Sequence, residues 1–487
     1  MRKHCLLILG LMFAAFLPRT GLAAVLGFDD ARHLLARTSF AAPASDVEKF
    51  SRLTRQQAAD LLLSWTNRAP STPAPGWTGE RPIPGRQLRA MTTEERQATL
   101  RLFNQRTLEM RVWWMQEMLT TPTPLTEKLV LFWHNHFVSS SQKVRQPQYL
   151  YRQHMTLRRH ALGNFSDMLH AIARDPAMVI YLDGASNRKG QPNENFAREL
   201  MELFTLGEGH YTENDVKEAA RAFTGWSIDP DSGEFLFRPA VHDDGVKTLL
   251  GHAGPLDGAA VIDILLAHPR TAEFIVTKLW REFVSPDPDP AEVRRVAGIF
   301  RASRYDIRTA VSALLASDAF YDARNRANLI KSPVDLVVGT LRQFQFTTGD
   351  AHPFVVACAQ QGQNLFAPPN VKGWPGGTAW INSTTLLARK QFLDRLFRAD
   401  EMRPAMLMAA ADTSKGGVAA QARQRFTRGM AEVYFDAERW LRYNGGADAG
   451  TLARLVLAAP AHNALSPEAA GLELVRRLTQ DPSYQLK

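Results

Sequence analysis

The chain has 487 residues, 45% of them hydrophobic and 22% charged, with a formal charge of +9 and two cysteines. That length can bury a large core, and the composition lies outside the low-hydrophobicity, high-charge range of disordered chains. Cys5 and Cys358 are too few to hold an iron–sulfur cluster, and the dispersed basic residues form no run of the kind that marks a polyanion-binding tail.

The first 23 residues read as a secretory leader. Arg2 and Lys3 precede an apolar stretch from Leu6 to Leu17, and Pro18 bounds it. Gly21 and Ala23 suit the −3 and −1 positions for cleavage after Ala23. The stretch is shorter than the about 20 apolar residues a spanning helix needs. The mature chain is therefore expected to be periplasmic or secreted, with no transmembrane span. The leader carries three cations and no acid, so its removal leaves +6 of the +9, and Cys358 then has no intrachain partner.

Helical patterns follow in order. Asp29 to Thr38 and Thr54 to Trp65 predict short amphipathic helices, Pro70 to Arg86 a loop, and Thr93 to Leu119 a long helix. Thr123 to Phe137 is apolar on nearly every side, which predicts a helix buried all round. Near its end stands Phe132-Trp133-His134-Asn135-His136-Phe137. Residues two apart point about 200° apart on a helix. His134 and His136 can therefore share a metal only if the helix ends between them, and they are not the i, i+4 pair of a zinc protease.

The densest polar region runs from Asp183 to Glu202 and includes Asn187 and Arg188. Asn193 is placed to cap a helix that Gly207 would close. On that helix Phe196, Ala197, Leu200, Met201, Leu203 and Phe204 share an apolar face, and Glu194 and Arg198 are spaced to pair. Asn195, Glu199 and Glu202 form a polar stripe, with Glu199 at the edge of the apolar face. A carboxylate buried there needs a partner, a metal or a proton. Arg188 and Lys189 lie just before the helix start, where an anion can be held.

Thr212 with Asp215 resembles a capping box. Ser227-Ile228, the turn-like 229–233 segment and Glu234 to Arg238 predict a hairpin, with a third strand near Lys247 to Leu250. His242-Asp243 followed by Lys247 is a third candidate cluster. Ser332-Pro333 and Ser466-Pro467 each place a capping hydroxyl before a first-turn proline. Gln363 to Ile381 reads as a long ordered loop in which Trp374 can line a ligand pocket. After Thr413 the chain is Ala- and Arg-rich and helical. No G-x-S-x-G elbow, Walker A loop, dinucleotide fingerprint, H-E-x-x-H, C-x-x-C-H or EF-hand loop is present.

These segments resemble a bacterial family known as domain of unknown function 1800. The similarity starts at His33-Leu34-Leu35-Ala36-Arg37. It continues through Lys128 to Phe137, Ala161 to Phe165, Asp175 to Met178, the block from Tyr181 to Trp226, His242-Asp243, Lys331-Ser332-Pro333 and the Pro368-to-Trp374 loop, and ends near Arg389. The resemblance implies export and a partner in a second exported family, numbered 1501, whose genes often adjoin. It assigns no catalytic residue.

The expected fold is mainly α: a large multi-helix domain over 24–412 with a small β-hairpin insertion, and a C-terminal helical extension over 413–487. Two functions remain open. One is a periplasmic enzyme acting on an anionic substrate. Glu199, Glu202, His134, His136, His242 and Asp243 would do acid–base work or ligate a divalent metal. Asp183, Asn187, Arg188, Asn193, Glu194, Arg198, Lys247 and Trp374 would bind the substrate. The other is a non-catalytic envelope factor that binds a family-1501 protein or a surface polymer. A third reading, a binder of polyanions driven by the basic surface, is opposed by the dispersed charge, and specific nucleic-acid binding is not expected.

Overall fold

Apolar residues recurring every three to four positions make the chain helical, and the computed structural model has 24 α-helices and two two-stranded antiparallel sheets among its described residues. These residues are 24–64, 66–411, 418–444, 446, 448–465 and 468–487. The leader with its cleavage site, Trp65, Thr413 and the Ser466-Pro467 cap lie outside them. No helix of the described residues is long and apolar enough to cross a membrane.

Local capping starts the helices where side chains allow it. The Thr92 hydroxyl and the Glu95 carboxylate cap the helix Thr93–Thr120 reciprocally. Thr212 and Asp215 do the same for Glu213–Ala222, and Ser332 and Asp335 for Pro333–Gln343, with proline at its first position.

The helix Pro124–His136 is central. Ten of its thirteen residues are buried, and these include Glu127 and Lys128, so both charges need buried partners. Arg158, from the helix Pro147–His160, ion-pairs with Glu127 and also with Glu117 at 3.1 Å. Trp114 donates its indole N–H to Glu127 at 3.1 Å. On the other side Lys128 bonds Asp335 at 2.5 Å, and Lys487 bonds the second oxygen of Asp335 at 2.6 Å. Two buried ionic networks thus fix the helix to Thr93–Thr120, Pro147–His160 and Pro333–Gln343.

The C-terminal segment is helical as expected and is built onto Pro333–Gln343. Tyr484 and Thr340 share a hydroxyl hydrogen bond of 2.8 Å, Trp440 donates to the Gln343 carbonyl at 2.8 Å, and Lys487 N–H donates to the Leu329 carbonyl at 2.8 Å.

The predicted hairpin forms, with β1 (Trp226–Ile228) antiparallel to β2 (Phe235–Phe237) and Trp226 opposite Phe237. The predicted third strand does not join it. β3 (Lys247–Leu249) turns back on β4 (His252–Gly254) as a separate hairpin. Leu250 (φ 48°) and Gly251 (φ 83°) both take the positive φ that a two-residue hairpin turn demands. Asp215 and Glu218 accept N–H groups from Leu250 and Thr248, at 2.8 and 2.9 Å, and hold this hairpin on the helix Glu213–Ala222.

The helix expected from Asn193 is split in two. Asn193 Oδ1 accepts the Asn195 N–H at 3.0 Å, an α-helix runs Asn195–Glu199, and a π-helix follows over Leu200–Thr205. The Thr205 hydroxyl donates to the Leu200 carbonyl at 2.6 Å. Gly207 (φ 84°) closes the element, its N–H on the Met201 carbonyl. Such π turns concentrate at functional positions.

Candidate functional site

The sequence motifs meet where the C-terminal end of Pro124–His136, the Asn195–Thr205 element and the 368–377 loop come together. Asn135 anchors the loop: its Oδ1 accepts the Trp374 N–H at 2.6 Å, and its Nδ2 donates to the Trp374 carbonyl at 3.4 Å. Residue 373 must be glycine for this. Its φ is +89°, and a Cβ there would stand 2.3 Å from Asn135 Oδ1. Trp374 is 4% exposed and lines a cleft of about 130 Å³ whose wall also includes Phe132, Trp380, Arg281, Lys128 and Asp335.

His134 and His136 diverge, as their spacing requires, because the helix continues through both. His134 faces the core. Its Nε2 shares a 3.0 Å hydrogen bond with His154 Nδ1, and its ring packs on Trp114 and Phe366. Burial lowers the His134 pKa to about 3 and puts His154 well below the ordinary range. His136 faces the opposite way. Lys278, from the helix Pro269–Phe283, donates to His136 Nδ1 at 3.0 Å and to the Leu203 carbonyl of the π turn at 2.9 Å. Burial brings Lys278 down to about 7 and holds His136 neutral. Lys278 thereby ties the π turn to the end of Pro124–His136.

The carboxylate stripe lies at the surface of this junction. Glu202 accepts the Tyr211 hydroxyl at 2.9 Å, and Lys372 reaches toward it at 3.9 Å while pairing with Glu208 at 3.3 Å. Glu199 is half-buried and accepts no hydrogen bond from the described residues. Burial, and then the charge of Glu202, raise its carboxyl above the usual range. Arg198 is engaged by Glu213 at 2.7 Å and Glu194 at 3.1 Å, so its charge is already neutralised. Asp183 pairs with Lys143 at 2.8 Å. Arg188 donates to Gln191 at 3.2 Å, and Lys189 pairs with Asp244 at 2.7 Å. Asn187 is a buried staple, donating to the Ala220 carbonyl and accepting the Asn193 N–H, at 2.8 and 2.9 Å.

The third cluster serves its own turn. His242 Nδ1 bonds the Thr224 carbonyl at 2.8 Å. Arg221 grips both Asp243 oxygens at 2.8 and 3.2 Å and brings the Asp243 pKa to about 2. Lys247 Nζ donates to the Asp243 and Gly245 carbonyls at 2.5 and 3.0 Å.

Among the described residues no hydrogen bond or ion pair joins Glu199 or Glu202 to His134, His136 or His242, and no group of three or more His, Cys, Asp and Glu is placed to hold a metal. Lys278, Tyr211, Lys372 and Asn135 are partners that sequence reasoning did not single out. Lys278 sits on the margin of an ordinary amphipathic helix, between buried Ile275 and Leu279, and its neighbours in sequence carry no sign of His136.

The family model described as Protein of unknown function (DUF1800) matches residues 33–486. This span includes the helical segment beyond residue 413. No curated protein and no solved structure matches the chain.

Proposed function

The chain belongs to the DUF1800 family, and on that footing we propose that it is an exported, non-catalytic envelope factor that recognises a partner protein of the family-1501 type through the surface around Glu199. The leader features at Arg2, Lys3, Leu6 to Leu17 and Ala23 support export to the periplasm. The single observation that carries the reading is the contrast at the junction. Asp183, Glu194, Glu202 and Asp243 are each satisfied by a protein cation or hydroxyl, and His134 and His136 are sealed and neutral. Glu199 alone among these carboxylates has no hydrogen-bond partner among the described residues, although it is half-buried. A half-buried acid left unpaired on a surface held by fixed neighbours is suited to a partner's donor.

The test mixes mature protein recovered from the periplasm with a purified protein of the family numbered 1501 and measures complex formation by titration calorimetry. A defined complex, weakened at least tenfold by Glu199→Ala while helicity and Tm persist, supports the reading. Absence of a complex, or one indifferent to Glu199→Ala, overturns it. Turnover of an anionic substrate abolished by both Glu199→Gln and Glu202→Gln would put the catalytic reading in its place.

A further inference from the structure

A cavity larger than the Trp374 cleft lies away from this junction, and no sequence motif marks it. It has a volume of about 550 Å³, within the range of small-molecule sites. It opens between the helices Gly27–Thr38, Ala44–Ser51, Arg55–Ser64 and Pro333–Gln343 and the C-terminal end of Thr93–Thr120. Leu35, Leu62, Leu119, Leu125, Leu341 and Phe346 supply an apolar wall.

Four polar side chains on the same lining have unused capacity. Arg342 is fixed by Nη1, which donates to the carbonyls of Met118 and Leu119 at 3.2 and 2.9 Å, and its Nε and Nη2 have no partner among the described residues. Asp46, at the exposed rim, makes no side-chain hydrogen bond or ion pair among the described residues, and the charges of Lys49 and then Arg342 act on it. The side-chain amides of half-buried Gln116 and exposed Gln345 have no hydrogen-bond partner among the described residues. Gln345 is the second residue after the helix Pro333–Gln343 and has φ +54°, a left-handed conformation usually given to glycine.

We propose that this cavity binds a short apolar peptide in its zwitterionic form. The class follows from the inventory. An unpaired guanidinium matches a terminal carboxylate, an unpaired carboxylate matches a terminal ammonium, two free amides match the donor and acceptor of a peptide group, and the leucine wall takes aliphatic side chains. The separation of Asp46 from Arg342 is what admits the peptide. No ion pair closes between them, so each charge stays available to the opposite end of a ligand. The site is independent of the Glu199 surface, and failure of either proposal leaves the other standing.

Titration calorimetry of the mature full-length chain with L-leucyl-L-leucine tests it, beside N-acetyl-L-leucyl-L-leucine, which lacks the ammonium, and L-leucyl-L-leucine amide, which lacks the carboxylate. The expected result is saturable binding of the dipeptide, at least tenfold weaker for each blocked form, and at least fivefold weaker in Asp46→Asn. Asp46 stands on the surface and holds no other element, so that variant keeps the fold; Gln345→Gly is a second variant that relieves strain while removing one amide, and it should bind more weakly with Tm unchanged or higher. No saturable heat with the dipeptide at 10 mM overturns the proposal. Equal affinity for the blocked forms, or indifference to Asp46→Asn, overturns it too, since the charge match is then not what binds.

Discussion

Asn135 accepts the backbone N–H of Trp374 through Oδ1 at 2.6 Å, across 239 residues of sequence. The bond seats the 368–377 loop on the end of the central buried helix Pro124–His136. It also leaves no room for a side chain at residue 373, where a Cβ would meet Asn135 Oδ1 at 2.3 Å and Asn135 O at 2.9 Å.

Gly373→Ala should therefore destabilise the protein by about 2–4 kcal/mol, combining left-handed strain with the loss of a buried hydrogen bond. Asn135→Ala should cost about 1–3 kcal/mol, and the double variant less than the sum, because both act on one contact. Urea denaturation of the four proteins gives the coupling energy. Strict additivity would mean that the loop is held by something else.

Arg158 sits between two buried acids, Glu117 and Glu127, and burial raises the Glu127 pKa to about 7 even beside the guanidinium. Arg158→Met strands both carboxylates and should cost about 3–5 kcal/mol. Arg158→Met with Glu127→Leu should recover part of this, since one uncompensated charge is then removed together with its counter-ion. A single variant as stable as the wild type would show that the network contributes nothing.

Buried neutral histidines set the response to acid. The unfolded chain binds a proton at His134 with the ordinary pKa of 6.5, whereas the folded chain binds it near 3. Stability from this group is whole above pH 6.5 and is lost as pH falls from there toward 3, because the unfolded state then holds the extra proton. The loss is up to ~1.4 kcal/mol per pH unit for each such histidine, and His136 and His154 shift in the same direction. Denaturation midpoints at pH 8, 6, 5 and 4 should fall accordingly. His134→Gln should have a shallower acid limb by about one such increment, whatever its stability at pH 8. An identical slope would show that His134 is protonated in the folded state.

Glu199 and Glu202 should respond oppositely to neutralisation. Glu199→Gln removes a partly desolvated charge that Glu202 repels, and after solvent screening should stabilise by less than ~1 kcal/mol. Glu202→Gln weakens the acceptor of the Tyr211 hydroxyl and should destabilise by ~1 kcal/mol. Thermal melts at neutral pH distinguish the two; a destabilising Glu199→Gln would mean that its carboxylate has a bound partner in the folded chain.

The helical class, the buried character of Pro124–His136 and the caps at Thr212 and Ser332 were legible because each depends on residues three or four apart. The divergence of His134 and His136 was legible for the same reason, since helical geometry alone forbids a shared face. The separate β3–β4 hairpin was missed because Leu250 takes a positive φ that its residue type does not advertise. The π turn was missed because apolar periodicity alone does not distinguish it from an α-helical continuation.

Sequence by itself thus determined which segments coil, where they start and which polar groups would have to find partners. Tertiary structure alone decided who those partners are: Lys278 for His136, Arg158 for Glu127, Asp335 for Lys128, and Asn135 for the Gly373-Trp374 turn. The reason is physical. A cap is closed within one helical turn, whereas a buried charge or amide is satisfied by whichever complementary group packing brings within about 3 Å, and that group lies tens to hundreds of residues away.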